Sequence, residues 1–318
     1  MRLYVSRPLP DSVLEAARAQ FEVTVRGSNL PLSEAEMHSA LREYDLIIPT
    51  LGDRFSADVF AACPDQRAKM LANFGVGYNH IDVAAARAAG LVVSNTPGAV
   101  TDATADIALT LMLMTARRAS EGERMLRAGA WQGWHPTQLL GLHMSGKTLG
   151  VVGMGRIGQA IAKRAHFGFG MAVRYFTRSP RDLPELPDAQ GVTDLHMLLS
   201  SADIVVIAVP ATPQTHHLID AAALSAMQSH ALLINIARGD IIDEVALIAA
   251  LEARQIGGAG LDVYEHEPDV PPALVALENA VLLPHLGTNA LEVRTQMGMM
   301  AVANAVAFKR GEVPPNAV

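Results

Sequence analysis

Residues Leu149-Gly150-Val151-Val152 run straight into Gly153-Met154-Gly155-Arg156-Ile157-Gly158, and Gln159-Ala160-Ile161-Ala162 continues with helical character. A buried strand that ends in GxGxxG and opens a helix constrains the fold more than any other feature of this chain. It calls for a parallel strand–turn–helix unit with room for a phosphate at the turn. Gly153 permits the tight turn, Gly155 lets a pyrophosphate approach the backbone, and Gly158 lets helix and strand pack closely. The helix N-terminus adds unpaired N–H groups and the positive end of a dipole.

The rest of the chain is consistent with that unit. Strand-like and helix-like runs alternate throughout, the pattern of an α/β fold with parallel sheets. Residues 3–5, 21–25, 46–49, 70–74 and 91–94 read as short strands, with helices at 11–19 and 33–42. Ser33 and Glu36 stand in capping-box spacing at the start of the second helix. A helix over 102–120 follows, with Thr101 or Asp102 as its N-cap, then a loop marked by Trp131, Gly133, Trp134 and Pro136. A second series places strands at 149–152, 172–176, 204–208, 232–235, 258–261 and 281–283. The last apolar helix, from 291 to about 309, has no strands of its own to pack on. Its simplest place is back on the first domain. The expected organisation is therefore a discontinuous domain of residues 1–100 and 286–318, and a dinucleotide-binding domain of residues 101–285.

Composition narrows the function classes. The chain has 318 residues, half of them apolar and 18% charged, which suits two globular domains. A net charge of −7 with no basic run gives no sign of nucleic-acid binding. One cysteine, Cys63, excludes an internal disulfide and fits a reducing compartment. No stretch has the length and apolarity of a membrane span, and the N-terminus lacks a signal layout, so a cytoplasmic protein is expected. There is no HExxH and no Cys/His cluster, so no metal site is expected.

The end of the strand after the glycine motif bears on the nucleotide. A site for NAD places a carboxylate there, about 20 residues on, against the ribose 2′-hydroxyl. This chain has Thr177-Arg178-Ser179-Pro180-Arg181, with no carboxylate before Asp182. Arg178 and Ser179 suit a 2′-phosphate, so NADPH is expected as the preferred cofactor, with NADH as the alternative.

Three further motifs end consecutive strands: Asn235-Ile236-Ala237-Arg238-Gly239-Asp240, Gly260-Leu261-Asp262-Val263-Tyr264-Glu265-His266-Glu267-Pro268, and Leu283-Pro284-His285-Leu286-Gly287-Thr288. Together they can reduce a 2-keto acid. Arg238 can hold a carboxylate or keto oxygen, and His285 can act as proton donor near neutral pH. Glu267 can fix the imidazole tautomer and favour its protonated state, and Asp262 can bind a nicotinamide carboxamide. The other histidines read as structural: His216 and His217 as loop residues, and His80, His143 and His166 without suitable partners for catalysis.

With those motifs, Asn73-Phe74-Gly75-Val76-Gly77-Tyr78-Asn79-His80-Ile81-Asp82 and Thr101-Asp102-Ala103-Thr104-Ala105-Asp106, nearly the whole chain resembles the D-isomer-specific 2-hydroxyacid dehydrogenase family. It is most similar to the glyoxylate/hydroxypyruvate reductases of that family. The resemblance implies two doubly wound parallel-sheet domains, a Rossmann cofactor domain and a flavodoxin-like substrate domain, with a cleft between them. It implies NADPH-dependent reduction of glyoxylate to glycolate and of hydroxypyruvate to D-glycerate, with Arg238, Glu267 and His285 catalytic. It implies that Arg238 and His285 also touch the substrate, together with Leu51 and the backbone N–H groups of Val76 and Gly77. It further implies that Thr104, Arg156, Ile157, Pro210, Thr215, Ile236 and Asp262 contact the cofactor, and that the protein is a homodimer. The competing readings are an NAD-dependent dehydrogenase for a bulkier D-2-hydroxy acid and a non-catalytic, nucleotide-sensing corepressor-like module.

Overall fold

The computed structural model describes residues 1–179 and 181–318, and they form two compact units. The first comprises Met1–Val100 and Thr288–Val318, the second Thr101–Gly287.

In the first unit, β1 (Arg2–Val5), α1 (Asp11–Arg18), β2 (Glu22–Val25), α2 (Glu34–Glu43), β3 (Leu46–Ile48), α3 (Ala57–Ala61), β4 (Met70–Ala72), α4 (Val83–Ala88) and β5 (Val92–Ser94) alternate along the chain. The strands form one parallel sheet of order β2-β1-β3-β4-β5, a flavodoxin-like winding. β3 and β4 are buried along their whole length, as expected for parallel strands covered by helices on both faces. The capping box at α2 is formed: Glu36 N–H donates to Ser33 Oγ, and the Glu36 carboxylate accepts from Ser33 N–H at 2.8 Å.

The second unit contains α5 (Thr101–Ala116), α6 (Ala119–Arg127), β6 (Thr148–Val152), α7 (Arg156–Phe169), β7 (Ala172–Phe176), β8 (Gln190–Val192), α8 (Leu195–Ser201), β9 (Ile204–Ile207), α9 (Ala221–Ala226), β10 (Leu232–Asn235), α10 (Glu244–Glu252), β11 (Gly258–Leu261), α11 (Pro272–Val275) and β12 (Ala280–Leu282). Its seven parallel strands are ordered β12-β11-β10-β9-β6-β7-β8. Strand order reverses between β6 and β9, the place where an open α/β sheet forms a ligand crevice at its carboxyl edge. The strand cores, such as Ile204–Ile207, are fully buried, which accounts for their unbroken apolar sequence.

Two local expectations are corrected. The helix read as 102–120 is two helices, because Arg118 takes a left-handed conformation (φ +51°) and Leu142 N–H caps the Ala116 carbonyl at 2.7 Å. The first of them already includes Thr101, so Thr101 and Asp102 lie in its first turn rather than capping it.

The last helix, α12 (Leu291–Lys309), belongs to the first unit. Gly298 leaves no room for a side chain against Val13 of α1, and buried Asn304 donates to the Asn95 carbonyl at 3.1 Å. The change of unit falls after Gly287. Leu286 and Gly287 are tied to the second unit by their N–H groups, both bound by the Asp262 carboxylate.

Candidate active site

The glycine turn sits where β6 and β9 part. Gly153 has φ +102°, a left-handed conformation that a side chain would strain, and a Cβ there would also strike Ala208 after β9. A Cβ on Gly158 would collide with the Gly153 carbonyl, whereas one on Gly155 would enter open space. That open space lies at the N-terminus of α7, which has no side-chain cap and no acidic residue in its first turn. The arrangement fits a pyrophosphate: uncapped N–H groups, a positive dipole end and a gap in front of them. Arg156 and half-buried Ile157 begin the helix.

Two segments flank this turn. Gly153 N–H donates to the Phe176 carbonyl at 2.9 Å, which ties the glycine turn to the end of β7 and brings Thr177, Arg178 and Ser179 alongside. Arg178 and Ser179 are exposed. After β9, Thr215 Oγ1 donates to the Pro210 carbonyl at 2.8 Å and accepts Thr212 N–H at 2.8 Å, closing residues 210–215 into a loop.

The three charged motifs meet because of sheet register. Asn235 pairs with Leu261, and Leu261 with Leu282, so β10, β11 and β12 release their chains at one edge. Asn235 shapes the first loop by donating to the Arg238 carbonyl at 2.8 Å and accepting Ala237 N–H at 3.0 Å. Gly239 packs directly on the Tyr264–Glu265 backbone, where any Cβ would clash. The first two loops are thereby held against each other, and the Tyr264 hydroxyl ties in the third by donating to the Leu283 carbonyl at 2.9 Å.

His285 Nδ1 lies 2.8 Å from Glu267 Oε2, and Glu267 Oε1 accepts Tyr264 N–H at 3.1 Å. Burial raises the Glu267 pKa, but the hydrogen bond and charge of His285, with the Tyr264 N–H and the Arg238 charge, outweigh it. The net effect is a carboxyl below its ordinary range. Glu267 is therefore anionic at neutral pH, and the imidazole Nδ1 carries the shared proton. Arg238 feels the opposite balance: burial lowers its pKa, opposed by the charges of Glu267 and Asp240. A guanidinium stays charged through such a shift, so the site presents a partly desolvated cation beside a histidine–carboxylate pair.

His285 has φ +55°, costly for a residue with a side chain. Asp262 holds the next residues in place, with Oδ1 accepting Leu286 N–H at 2.6 Å and Oδ2 accepting Gly287 N–H at 2.8 Å. Thr104 Oγ1 donates to the Gly287 carbonyl at 3.2 Å. Burial raises the Asp262 pKa against those two bonds and the His285 charge. Ile236 is buried beside this group of loops.

In the first unit, Leu51 and the Val76–Gly77 pair follow the carboxyl ends of adjacent strands β3 and β4. The Leu51 loop is held by buried Asp53, which accepts Ser6 Oγ at 2.6 Å, Thr50 N–H at 2.8 Å and Leu32 N–H at 2.9 Å. Arg7 donates to the Leu51 carbonyl at 2.6 Å. The Leu51 side chain itself is exposed.

Residues 109–287 match the family described as D-isomer specific 2-hydroxyacid dehydrogenase, NAD binding domain. Over its full length the chain is 41% identical to the glyoxylate reductase of Thermococcus kodakarensis, covering 96% of that protein. The chain belongs to the D-isomer specific 2-hydroxyacid dehydrogenase family.

This 2-hydroxyacid dehydrogenase has the same fold as solved relatives. A protein of Thermus thermophilus matches with a TM-score of 0.92 and 44% identity, each chain covered completely. The NADPH-dependent glyoxylate/hydroxypyruvate reductase of Sinorhizobium meliloti, solved with NADP and malonate, matches with a TM-score of 0.87 and 35% identity, covering 100% of this chain and 96% of that one. The dehydrogenase is thus an oxidoreductase with a nicotinamide-binding domain, and the glycine cradle is where the pyrophosphate fits. Among the described residues no cluster of His, Cys, Asp or Glu could hold a metal, and no helix is long and apolar enough to cross a membrane.

Several histidines outside the catalytic group have specific partners. His80 Nε2 lies 3.0 Å from Asn73 Oδ1, and His166 Nδ1 lies 3.0 Å from the Met171 carbonyl, so both have partners. His217 pairs with Glu265 at 3.0 Å and stacks on His216, linking the 210–218 segment to the loop that carries Glu267. No sequence spacing announces a contact across 48 residues. The Asn73 and Asn95 side chains hold the Val76–Gly77 loop, and nothing in the motif around them signals that task.

Proposed function

We propose that this dehydrogenase reduces small 2-keto acids with NADPH, glyoxylate to glycolate and hydroxypyruvate to D-glycerate. The observation that carries the reading is the 2.8 Å His285–Glu267 pair beside the Arg238 guanidinium, at the carboxyl edge of a nucleotide-binding sheet.

Reduced nicotinamide, when bound, supplies the hydride to the keto carbon. Arg238 holds the keto acid by its carboxylate and keto oxygen, and its charge stabilises the oxygen as electrons move onto it. Because Nδ1 is committed to Glu267, His285 presents Nε2 to that oxygen and delivers the proton. The carbon gains a hydride, the oxygen gains the proton, and the imidazolium becomes neutral imidazole beside the Glu267 carboxylate. Glu267 acts by fixing the tautomer and stabilising the charged donor form. Leu51 and the N–H groups of Val76 and Gly77 take the substrate side, the N–H pair on the carboxylate. Thr104, Pro210, Thr215, Ile236 and Asp262 take the nicotinamide side. Asp262 has both oxygens engaged already, each with a lone pair left for a carboxamide.

The preference for NADPH rests on the exposed Arg178 and Ser179 beside the glycine turn and on the absence of a carboxylate at 177–181. A 2′-phosphate gains a guanidinium and a hydroxyl there and meets no like charge. Exposed Trp131, Trp134, Leu126 and Leu140 supply apolar surface for a second copy, and the dehydrogenase acts as a homodimer.

His285→Ala is the decisive variant. It is expected to lower kcat for glyoxylate reduction about 10²–10⁴-fold, with NADPH affinity by fluorescence titration close to wild type. Near-normal turnover would remove His285 as proton donor and with it this reading of the site.

A further inference from the structure

Asn73 is completely buried just after β4 and is not among the catalytic or binding residues assigned above. Its Nδ2 donates to two carbonyls of one short loop, Gly75 O and Gly77 O, at 3.0 Å each. The carbonyl between them, Val76 O, accepts Asn95 Nδ2 at 2.9 Å, and Gly75 O also accepts Thr96 N–H at 3.0 Å. Three successive carbonyls are therefore drawn inward by fixed donors. With its donor end committed, the Asn73 amide must turn Oδ1 towards His80, whose Nε2 lies 3.0 Å away and must carry hydrogen.

The consequence for the N–H groups follows from peptide geometry. In a planar trans peptide the N–H points opposite to the carbonyl of the preceding residue. Gly75 O turned inward forces Val76 N–H outward, and Val76 O turned inward forces Gly77 N–H outward. Among the described residues of this unit, no group accepts from either N–H. Two consecutive N–H groups held outward form a concavity for an anion.

We propose that Asn73, supported by Asn95, is a positioning residue that aims the Val76 and Gly77 N–H groups at the substrate carboxylate. The proposal rests on the reading that those two N–H groups bind that carboxylate. An asparagine is required at 73 because a single buried side chain must donate twice and accept once. Aspartate would face two carbonyls without a proton to offer, and leucine would leave both carbonyls unpaired in a buried place. Either change frees the loop to rotate its peptides and scatter the N–H directions. The cofactor cradle lies in the other unit and does not depend on this loop.

The test compares wild type, Asn73→Leu and Asn95→Leu as full-length enzymes, with glyoxylate as substrate and oxamate as a non-reducible carboxylate probe. Asn73→Leu is expected to raise the glyoxylate KM and the oxamate Ki together by about tenfold, the worth of one charge-assisted hydrogen bond. The NADPH dissociation constant and kcat are expected to stay near wild type. A folded Asn73→Leu enzyme with unchanged KM and Ki, whatever its melting temperature, overturns the proposal. Where Asn73→Leu does not fold, Asn95→Leu decides in the same way, a several-fold parallel rise supporting the proposal and unchanged values overturning it. Hydrogen exchange on the wild-type enzyme tests the underlying reading separately. Oxamate is expected to slow exchange in the peptide containing Val76 and Gly77. If oxamate inhibits without slowing it, the carboxylate sits elsewhere, and the reading and the proposal both fail.

Discussion

Replacing Glu267 by glutamine keeps the shape of the site and removes one charge. His285 and Glu267 are 2.8 Å apart at their nearest atoms, with side chains 29% and 30% exposed. Their charge centres, about 4 Å apart, attract by about 4 kcal/mol at an effective dielectric of 20 and about 1 kcal/mol in bulk water. A pair this exposed lies between those limits, at about 2 kcal/mol after screening. Glu267→Gln is therefore expected to lower kcat/KM for glyoxylate reduction by about 30-fold. The amide also faces a conflict, because Tyr264 N–H and the imidazole N–H both require an acceptor and glutamine offers only one oxygen. Turnover should fall further for that reason. The assay is steady-state NADPH oxidation with glyoxylate at neutral pH, with wild type alongside. An undiminished kcat/KM would refute the claim that the Glu267 charge sustains the donor. Stability follows the same carboxylate. Its folded pKa is lowered, so its contribution is complete above the ordinary carboxylate range and is lost as pH falls through the folded value.

Arg178→Ala should raise the KM for NADPH by about tenfold or more and leave NADH nearly unchanged; an equal loss with both cofactors would sink the 2′-phosphate assignment. Gly158→Ala drives a methyl group into the Gly153 carbonyl, two main-chain segments that cannot both yield. It should destabilise the enzyme by about 2–4 kcal/mol in denaturant titration and weaken NADPH binding, and an unchanged unfolding midpoint would contradict the close packing described.

Much of the architecture is legible in the sequence because its signals are local. The run at 204–207 is apolar on every residue and that at 232–234 likewise, as strands covered on both faces must be, and Ser33 with Glu36 marks a helix start that forms as spaced. Strand β8 escapes such reading. Gln190-Gly191-Val192 has no apolar run, and it lies at the sheet edge paired with β7, where Gly191 lies against the Tyr175 ring. The break after α5 is equally hidden, since it depends on Leu142 reaching back to the Ala116 carbonyl. For the site, residue types announce Arg238, Glu267 and His285, and sheet register explains how their loops meet. What the residue types do not announce is the support beneath them. Asp262 holding residues 286 and 287, His217 bound to Glu265, and Asn73 with Asn95 gathering three carbonyls all depend on how the chain returns on itself.

The central claim, NADPH-dependent reduction of small 2-keto acids, is tested most directly by steady-state kinetics with glyoxylate and with hydroxypyruvate, each against NADPH and NADH. The account predicts turnover of both acids, with a higher kcat/KM for NADPH than for NADH. Turnover with NADH alone would contradict the roles of Arg178 and Ser179, and no turnover of either acid with either cofactor would contradict the proposed function itself.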